Sequence, residues 1–392
     1  MRASQTPAPL GRGSAWHAWA GGIVSFWLLV GISVNIAALL GAELTWWQRI
    51  HVLTLGALST AILVYSTHFT EALTRRPTPN HRAVATRVGL LNASVLVLLF
   101  VPLWSVAFYL ATVCILAVFI WHSVAIFLAW KGALSGAFAV TVPFYVGAAA
   151  FMVVAIGLAL AAGAQWGNYD ALIAAHSRAT LWGLAWLTVL GTVVTFLPTL
   201  AGAPISPRAR QRAPRTLLVH CLGLLLALIG LVEQWHVLAA IGQVLCVCAA
   251  VYLLQPVLSS VLGASPRLTT PSLSVCAGVL WVLAVQAADG IAIALGVAPR
   301  ELTTVLLPAL VGGGVLQLVA GALQHLVPTL ARRRQPANKS GWIRVGVLNL
   351  GAFLTLVGPT KLGIAFLAAG LAAHMVALAS MVLRPVSTEK NS

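Results

Sequence analysis

Acid is what this chain has least of. Seven of its 392 residues are Asp or Glu, against 23 Lys and Arg, and charged residues of every kind make up 8%. A soluble globular chain carries about 25% charged residues, so no stretch here is composed like a water-soluble domain. Seven carboxylates also fit poorly with a membrane pump driven by acidic side chains. Cysteine is scarce too: Cys114, Cys221, Cys246, Cys248 and Cys276 all fall in apolar stretches. They form no disulfide ladder, and Cys246 and Cys248 point to different sides of a helix. Zinc-ligand spacings, a nucleophile elbow and a dinucleotide fingerprint are absent. Gly312-Gly313-Gly314 lacks the Lys-Ser/Thr that completes a phosphate loop, and suits close helix packing instead.

Hydrocarbon fills the space. Hydrophobic residues make up 60% of the chain and the mean hydropathy is +0.96. A membrane-crossing helix needs about 20 mostly apolar residues. Twelve such stretches lie roughly at 20–42, 47–71, 84–107, 108–130, 140–163, 172–199, 215–232, 236–260, 272–294, 302–328, 342–358 and 361–383. Runs of that length exclude barrel strands, so the fold class is all-α: a polytopic integral membrane protein of about 12 transmembrane helices. Within 91–130 only Pro102 and Trp104 mark a break. The N-terminal region has no convincing cleavage site, so 20–42 reads as a retained first helix.

The net charge of +16 invites a nucleic-acid partner, but its distribution points to the bilayer. With the N-terminus inside, only Arg49, Arg178, Arg300 and Lys361 fall outside; the other nineteen of the 23 Lys and Arg fall inside. By the positive-inside rule both termini are then cytoplasmic in a multi-pass cell-membrane protein. Anionic lipid headgroups are the natural partners of the basic loops, and no nucleic acid is expected.

One phrase recurs about every 129 residues: Arg87-Val-Gly-Leu-Leu-Asn92, Arg215-Thr-Leu-Leu-Val-His220 and Arg344-Val-Gly-Val-Leu-Asn349. Each follows a basic loop (72–87, 203–215, 331–344), and each loop follows a similar helix ending, at Thr67-His68, Thr195-Phe196 and His325-Leu326. Repetition at a long fixed period implies a repeated structural unit. The chain therefore reads as a single transmembrane domain of three pseudo-symmetric four-helix units, at about 20–130, 140–260 and 272–383.

The repeat aligns candidate site residues. Helices 2, 6 and 10 carry His51, His176 and Glu301 near their outer ends, and His68, Thr195 and His325 near their inner ends. Helices 4 and 12 carry His122 and His374 in matching contexts. A buried imidazole needs a hydrogen-bond partner or a metal. Several of them, in a chain so poor in carboxylate, suit metal or haem ligation. His51, His176, His374, His122, His68 and His325 are thus candidate cofactor ligands, and His51, His176 and Glu301 a candidate metal set. His122 or His374 would complete a low-spin site with the outer pair, whereas His68 lies roughly 25 Å below His51, too far to share one iron. Asn92, His220 and Asn349 read as interhelical hydrogen-bonding residues. Glu71 reads as a local salt bridge with Arg75 and Arg76, His17 as part of an interfacial belt, His81 as a solvated loop residue, and Asp289 as either a proton relay or a helix end.

Twelve helices in three four-helix units, with His near the outer end of helix 2 and again in helix 6, resemble the haem-copper oxidase subunit I fold. Within it, His51-Val-Leu-Thr-Leu-Gly56, followed by His68, resembles the NnrS-type membrane proteins, haem- and copper-containing relatives linked to nitric oxide and nitrosative stress. The resemblance implies a b-type haem, with copper as a second candidate, and a role in nitric oxide response or electron transfer with a redox partner or small gas ligand. The oxidase copper-His-Tyr motif and helix-7 His pair are not matched, so an oxygen-reducing centre and its enzyme activity are not implied. A different class, a His-lined transporter or metal-handling permease, stays open.

Overall fold

The computed structural model describes residues 12–75, 81–133, 136–264, 269–330 and 340–383. Much of the predicted basic loops, including Arg76, Arg267, Arg332, Arg333, Arg334 and Lys339, lies outside them, as do Arg2, Arg384 and Lys390. Twelve helices run among the described residues: α1 Arg12–Leu39, α2 Trp46–Thr74, α3 His81–Phe100, α4 Val106–Lys131, α5 Ala139–Gly163, α6 Tyr169–Ala201, α7 Pro207–Val232, α8 His236–Gly263, α9 Thr270–Ala294, α10 Pro299–Leu330, α11 Gly341–Val357 and α12 Thr360–Leu383. Eleven are long and apolar enough to cross a membrane; α11, with 17 residues, is at the short end of what can. The protein is an all-α polytopic membrane protein.

Helix ends follow local chemistry. Thr45 caps α2 through a reciprocal Thr45–Gln48 box, Ser105 caps α4 and Asn168 caps α6. The break between α3 and α4 falls at 101–105, earlier than the expected 107/108 boundary. Pro102 cannot donate to a continuing helix, and Trp104 turns the chain at φ 64°. Helix α7 begins at Pro207, eight residues before the expected start, because proline suits the first helical turn. Arg208, Arg210, Arg212 and Arg215 thus lie on a helix rather than in a loop, and His220 sits mid-helix. His81 opens α3 and stacks on Trp16 with ring centroids 5.1 Å apart, rather than standing solvated.

Three helices form the centre. The apolar windows of α2, α6 and α10 are each 78% buried, against 28–50% for the other spans. Each contains a π-helical stretch: Val52–Leu58, Ala179–Trp186 and Ala309–Leu316. Such widened turns are rare and concentrate at functional sites. Each holds a glycine at one register position, Gly56, Gly183 and Gly313, against which an aromatic residue of the unit's first helix packs. A methyl on Gly56 would sit 2.6 Å from the Trp27 indole, one on Gly183 would collide with Phe151, and one on Gly313 would lie 3.5 Å from Trp281.

The repeated Asn/His phrase reads out the same plan. Trp27 Nε1 donates to Asn92 Oδ1, and Trp281 Nε1 donates to Asn349 Oδ1 at 2.6 Å. In the middle unit Phe151 has no N–H to give. There His220 Nε2 donates to the Trp182 carbonyl, 3.0 Å away in the π-helical stretch of α6. All three residues therefore tie helices together, as expected.

Candidate functional site

The face of the bundle bearing Arg75, Arg82, Lys131 and Arg208–Arg215 is called the basic face here. The opposite face carries the starts of α2, α6 and α10 and encloses a cavity of about 400 Å³. Its walls are mainly apolar (Leu98, Phe108, Ile115, Met152, Ile156 and Leu181 among them), with His51, His176, Tyr169, Arg300 and several Ser and Thr hydroxyls among the polar members.

His51 and His176 face each other there, their rings 6.5 Å apart between centroids and 24° from parallel. His51 Nδ1 lies 2.8 Å from the Trp47 carbonyl, and His176 Nδ1 lies 2.7 Å from the Ala155 carbonyl. A carbonyl oxygen can only accept, so both Nδ1 atoms carry the proton and both Nε2 atoms carry the lone pair. Neither Nε2 has a hydrogen-bond partner among the described residues. The Trp47 indole stacks on His51 at 4.3 Å and 18°, fixing the ring plane. This is the arrangement by which proteins orient imidazole toward a metal: one nitrogen tied to backbone, the other free.

The pair is not related by the repeat, contrary to the expectation from the 125-residue spacing. In the register set by Gly56, Gly183 and Gly313, the counterpart of His51 is Arg178 and that of His176 is Arg49. The first two units thus carry the same His/Arg couple in opposite order, Arg49-Ile-His51 and His176-Ser-Arg178. The same register leaves His68, Thr195 and His325 equivalent. Glu301 joins neither histidine: it is exposed, and its neighbour Arg300 lines the cavity instead. Among the described residues no group of three His, Cys, Asp or Glu is arranged to hold a metal ion.

His122 and His374 do not line the cavity. Arg87 Nη1 donates to His122 Nδ1 at 3.1 Å, so Nε2 holds the proton and gives it to Ser66 Oγ at 2.9 Å. Both nitrogens are committed, and no lone pair is left for iron. His374 takes the Gln324 side-chain amide at Nδ1, while its buried Nε2 has no partner among the described residues. Near the basic face His68 and His325 stand apart, linked by an aromatic ladder: His68 to Phe69 at 5.8 Å, Phe69 to Phe196 at 5.7 Å and Phe196 to His325 at 5.8 Å. His17 packs its ring against His68 at 4.8 Å rather than serving only as a belt residue. Glu71 makes no ion pair with Arg75, and Arg76 is outside the described residues.

Beside the cavity lies a network not foreseen from the sequence. Asp289 is the one buried carboxylate among the described residues, and it sits within α9 rather than at its end. Arg178 grips it through Nε–Oδ2 at 3.1 Å and Nη2–Oδ1 at 2.5 Å. Trp182 Nε1 and Gln243 Nε2 donate to Oδ2 at 3.3 and 3.1 Å. Arg178 Nη1 also donates to the Pro299 carbonyl at 2.9 Å and to Thr303 Oγ1 at 2.5 Å. The network joins α6, α8, α9 and α10 two residues from His176. One signal was available: a buried arginine in an apolar span requires a counter-charge, and few carboxylates could supply it.

Neither the protein-family models nor the curated proteins contain a match to this chain.

Proposed function

We propose that this protein is a haem-binding membrane protein of the NnrS-like branch of the haem-copper oxidase fold, with His51 and His176 as its metal ligands. The observation that carries the reading is the neighbouring pair of imidazoles lining one mainly apolar cavity, each with Nδ1 tied to a backbone carbonyl and with no hydrogen-bond partner on Nε2 among the described residues. The two ring centroids lie 6.5 Å apart, so the imidazoles could hold one group between them. A b-type haem there would supply one-electron transfer at iron, and gas binding only where one of the two imidazoles gives way; copper is the smaller occupant that the same two nitrogens suit. The chain does the rest. Trp47 holds the His51 ring, the aliphatic walls keep water from the ligands, and Arg300 offers a cation to the carboxylates of the group. Small-gas binding in a nitric oxide response, or electron transfer, fits this site better than oxygen reduction, because the oxidase histidine set is not reproduced.

The basic face belongs in the cytoplasm of the cell membrane, by the positive-inside rule. Reporter fusions in the 203–215 segment should report cytoplasmic placement, and an external location would reverse the assignment. The functional test is spectroscopic. The purified protein should show a haem signal in its reduced-minus-oxidised spectrum. His51→Ala and His176→Ala should each lose it or turn a six-coordinate low-spin spectrum high-spin. Wild-type absorbance and metal content in both variants would sink the assignment.

A further inference from the structure

Away from the cavity, the basic face carries a recess of about 460 Å³ lined by Arg208, Gln211, Arg212, Arg215 and Tyr252. The three arginines are spaced i, i+4 and i+7 on α7 and so share one side of the helix. Arg212 is built in: its guanidinium lies 4.4 Å over the Tyr252 ring, and Nη1 donates to the Tyr252 carbonyl and to Gln255 Oε1, both at 2.8 Å. Nη2 and Nε of Arg212 remain to donate. Arg208 and Arg215 are exposed, and none of the three makes an ion pair among the described residues.

Two features of this cluster call for an anion. It occupies the first turns of α7, where the exposed N–H groups already carry positive charge, so three cations there repel both one another and the helix end. The two ion pairs among the described residues, Arg178–Asp289 and Arg300–Asp170, both lie near the opposite face, and no carboxylate of the described residues lines this recess. Below the cluster the surface turns to hydrocarbon. Leu218, Leu222, Leu225 and Ile229 continue the Arg215 side of α7, and all four are exposed. Val244 and Ile241 continue the Tyr252 side of α8 and are exposed as well. Charge at the membrane boundary with a two-helix apolar strip beneath it is the pattern of a lipid site, not of a soluble-anion site.

We infer that the α7–α8 recess binds an anionic phospholipid, with Arg208, Arg212 and Arg215 on the headgroup phosphates and the acyl chains along the strip below. The arginines spread over about 10 Å of helix, which favours a headgroup with two phosphates, of the cardiolipin class, over one with a single phosphate.

Native mass spectrometry and thermal unfolding of the full-length protein in detergent would test this, with cardiolipin, phosphatidylglycerol or phosphatidylcholine added. Cardiolipin should give a retained adduct and raise Tm, phosphatidylglycerol less so, and phosphatidylcholine not at all. The triple variant Arg208→Gln, Arg212→Gln, Arg215→Gln should lose at least ten-fold in apparent cardiolipin affinity. A control triple, Arg75→Gln, Arg82→Gln, Lys131→Gln, removes the same charge from exposed positions on the same face and should keep it. Circular dichroism confirms that each variant is folded; a misfolded triple is replaced by Arg208→Gln, Arg215→Gln, which touches neither Tyr252 nor Gln255. Equal loss in the control would reduce the effect to bulk charge and overturn the site. Full protection by inorganic pyrophosphate would assign it to a soluble anion and overturn the lipid reading.

Discussion

His51 and His122 are both histidines on apolar helices of the first unit, yet their surroundings set them to opposite tasks. At His51 the backbone takes one nitrogen and the cavity leaves the other open. At His122 the Arg87 guanidinium takes one nitrogen and the Ser66 hydroxyl the other. The first histidine is presented; the second is consumed as an acceptor for the buried Arg87, whose guanidinium otherwise has the Ala83 carbonyl and the face of Trp121. What separates a ligand from a strut in this bundle is the destination of the second ring nitrogen, and neither sequence spacing nor depth reveals it.

The largest expected effect comes from the frame that holds the presented side. Asp289→Ala leaves Arg178 buried and uncompensated, a loss of about 3–5 kcal/mol for a broken buried pair. Thermal unfolding in detergent should show it, with the outer ends of α6 and α10 loosened and His176 displaced with them. Replacing both partners, as Arg178→Met with Asp289→Leu, should recover much of that stability, because the cost lies in the orphaned charge rather than in losing the pair. A double variant no better than Asp289→Ala would mean that the further bonds of Arg178 to Pro299 and Thr303 dominate.

The next effect tests the comparison directly. His122→Ala should cost about 1–3 kcal/mol, the range for leaving a buried donor unsatisfied, because Arg87 Nη1 loses its acceptor. The cofactor spectrum should not move. His51→Ala should do the reverse, changing the spectrum with little change in unfolding midpoint for the cofactor-free protein. If His122→Ala turned the spectrum high-spin while the protein stayed folded, the two histidines would have to exchange roles.

Composition was enough to reach the fold class. Apolar runs placed the helices, because a membrane span is written as a long stretch of residues of one kind. The sites were only half legible. His51 and His176 stood out as imidazoles at matching helix ends, but their 125-residue spacing suggested an equivalence that the glycine register removes. Asp289 was visible as a deep carboxylate, but its partner lay 111 residues away on another unit, and a contact of that separation leaves no local trace. Glu301 was selected by position alone, and the side chain one residue earlier, Arg300, is the one that lines the cavity.

The smallest predicted effect probes whether the interior struts are energetically coupled as their geometry implies. Trp281 donates to Asn349 at 2.6 Å, and Asn349 Nδ2 donates to the Val345 carbonyl at 2.7 Å. Trp281→Phe removes the donor and leaves Asn349 Oδ1 without its acceptor role; Asn349→Leu removes the acceptor and leaves the indole N–H in hydrocarbon. Each single change should therefore cost more than the double, which deletes both halves and leaves the interhelical contact apolar, as Phe151 already makes it in the middle unit. Interhelical hydrogen bonds in membrane proteins average about 0.6 kcal/mol and reach about 1.7, so the coupling in a double-mutant cycle should fall in that range. Trp27→Phe with Asn92→Leu should show a similar coupling, lowered to the extent that Thr60, 3.3 Å from Asn92 Nδ2, finds another partner. Coupling near zero in both cycles would mean that the repeated tryptophan–asparagine contacts are carried by packing against Gly56 and Gly313 alone, with the hydrogen bond a consequence of that packing rather than a cause.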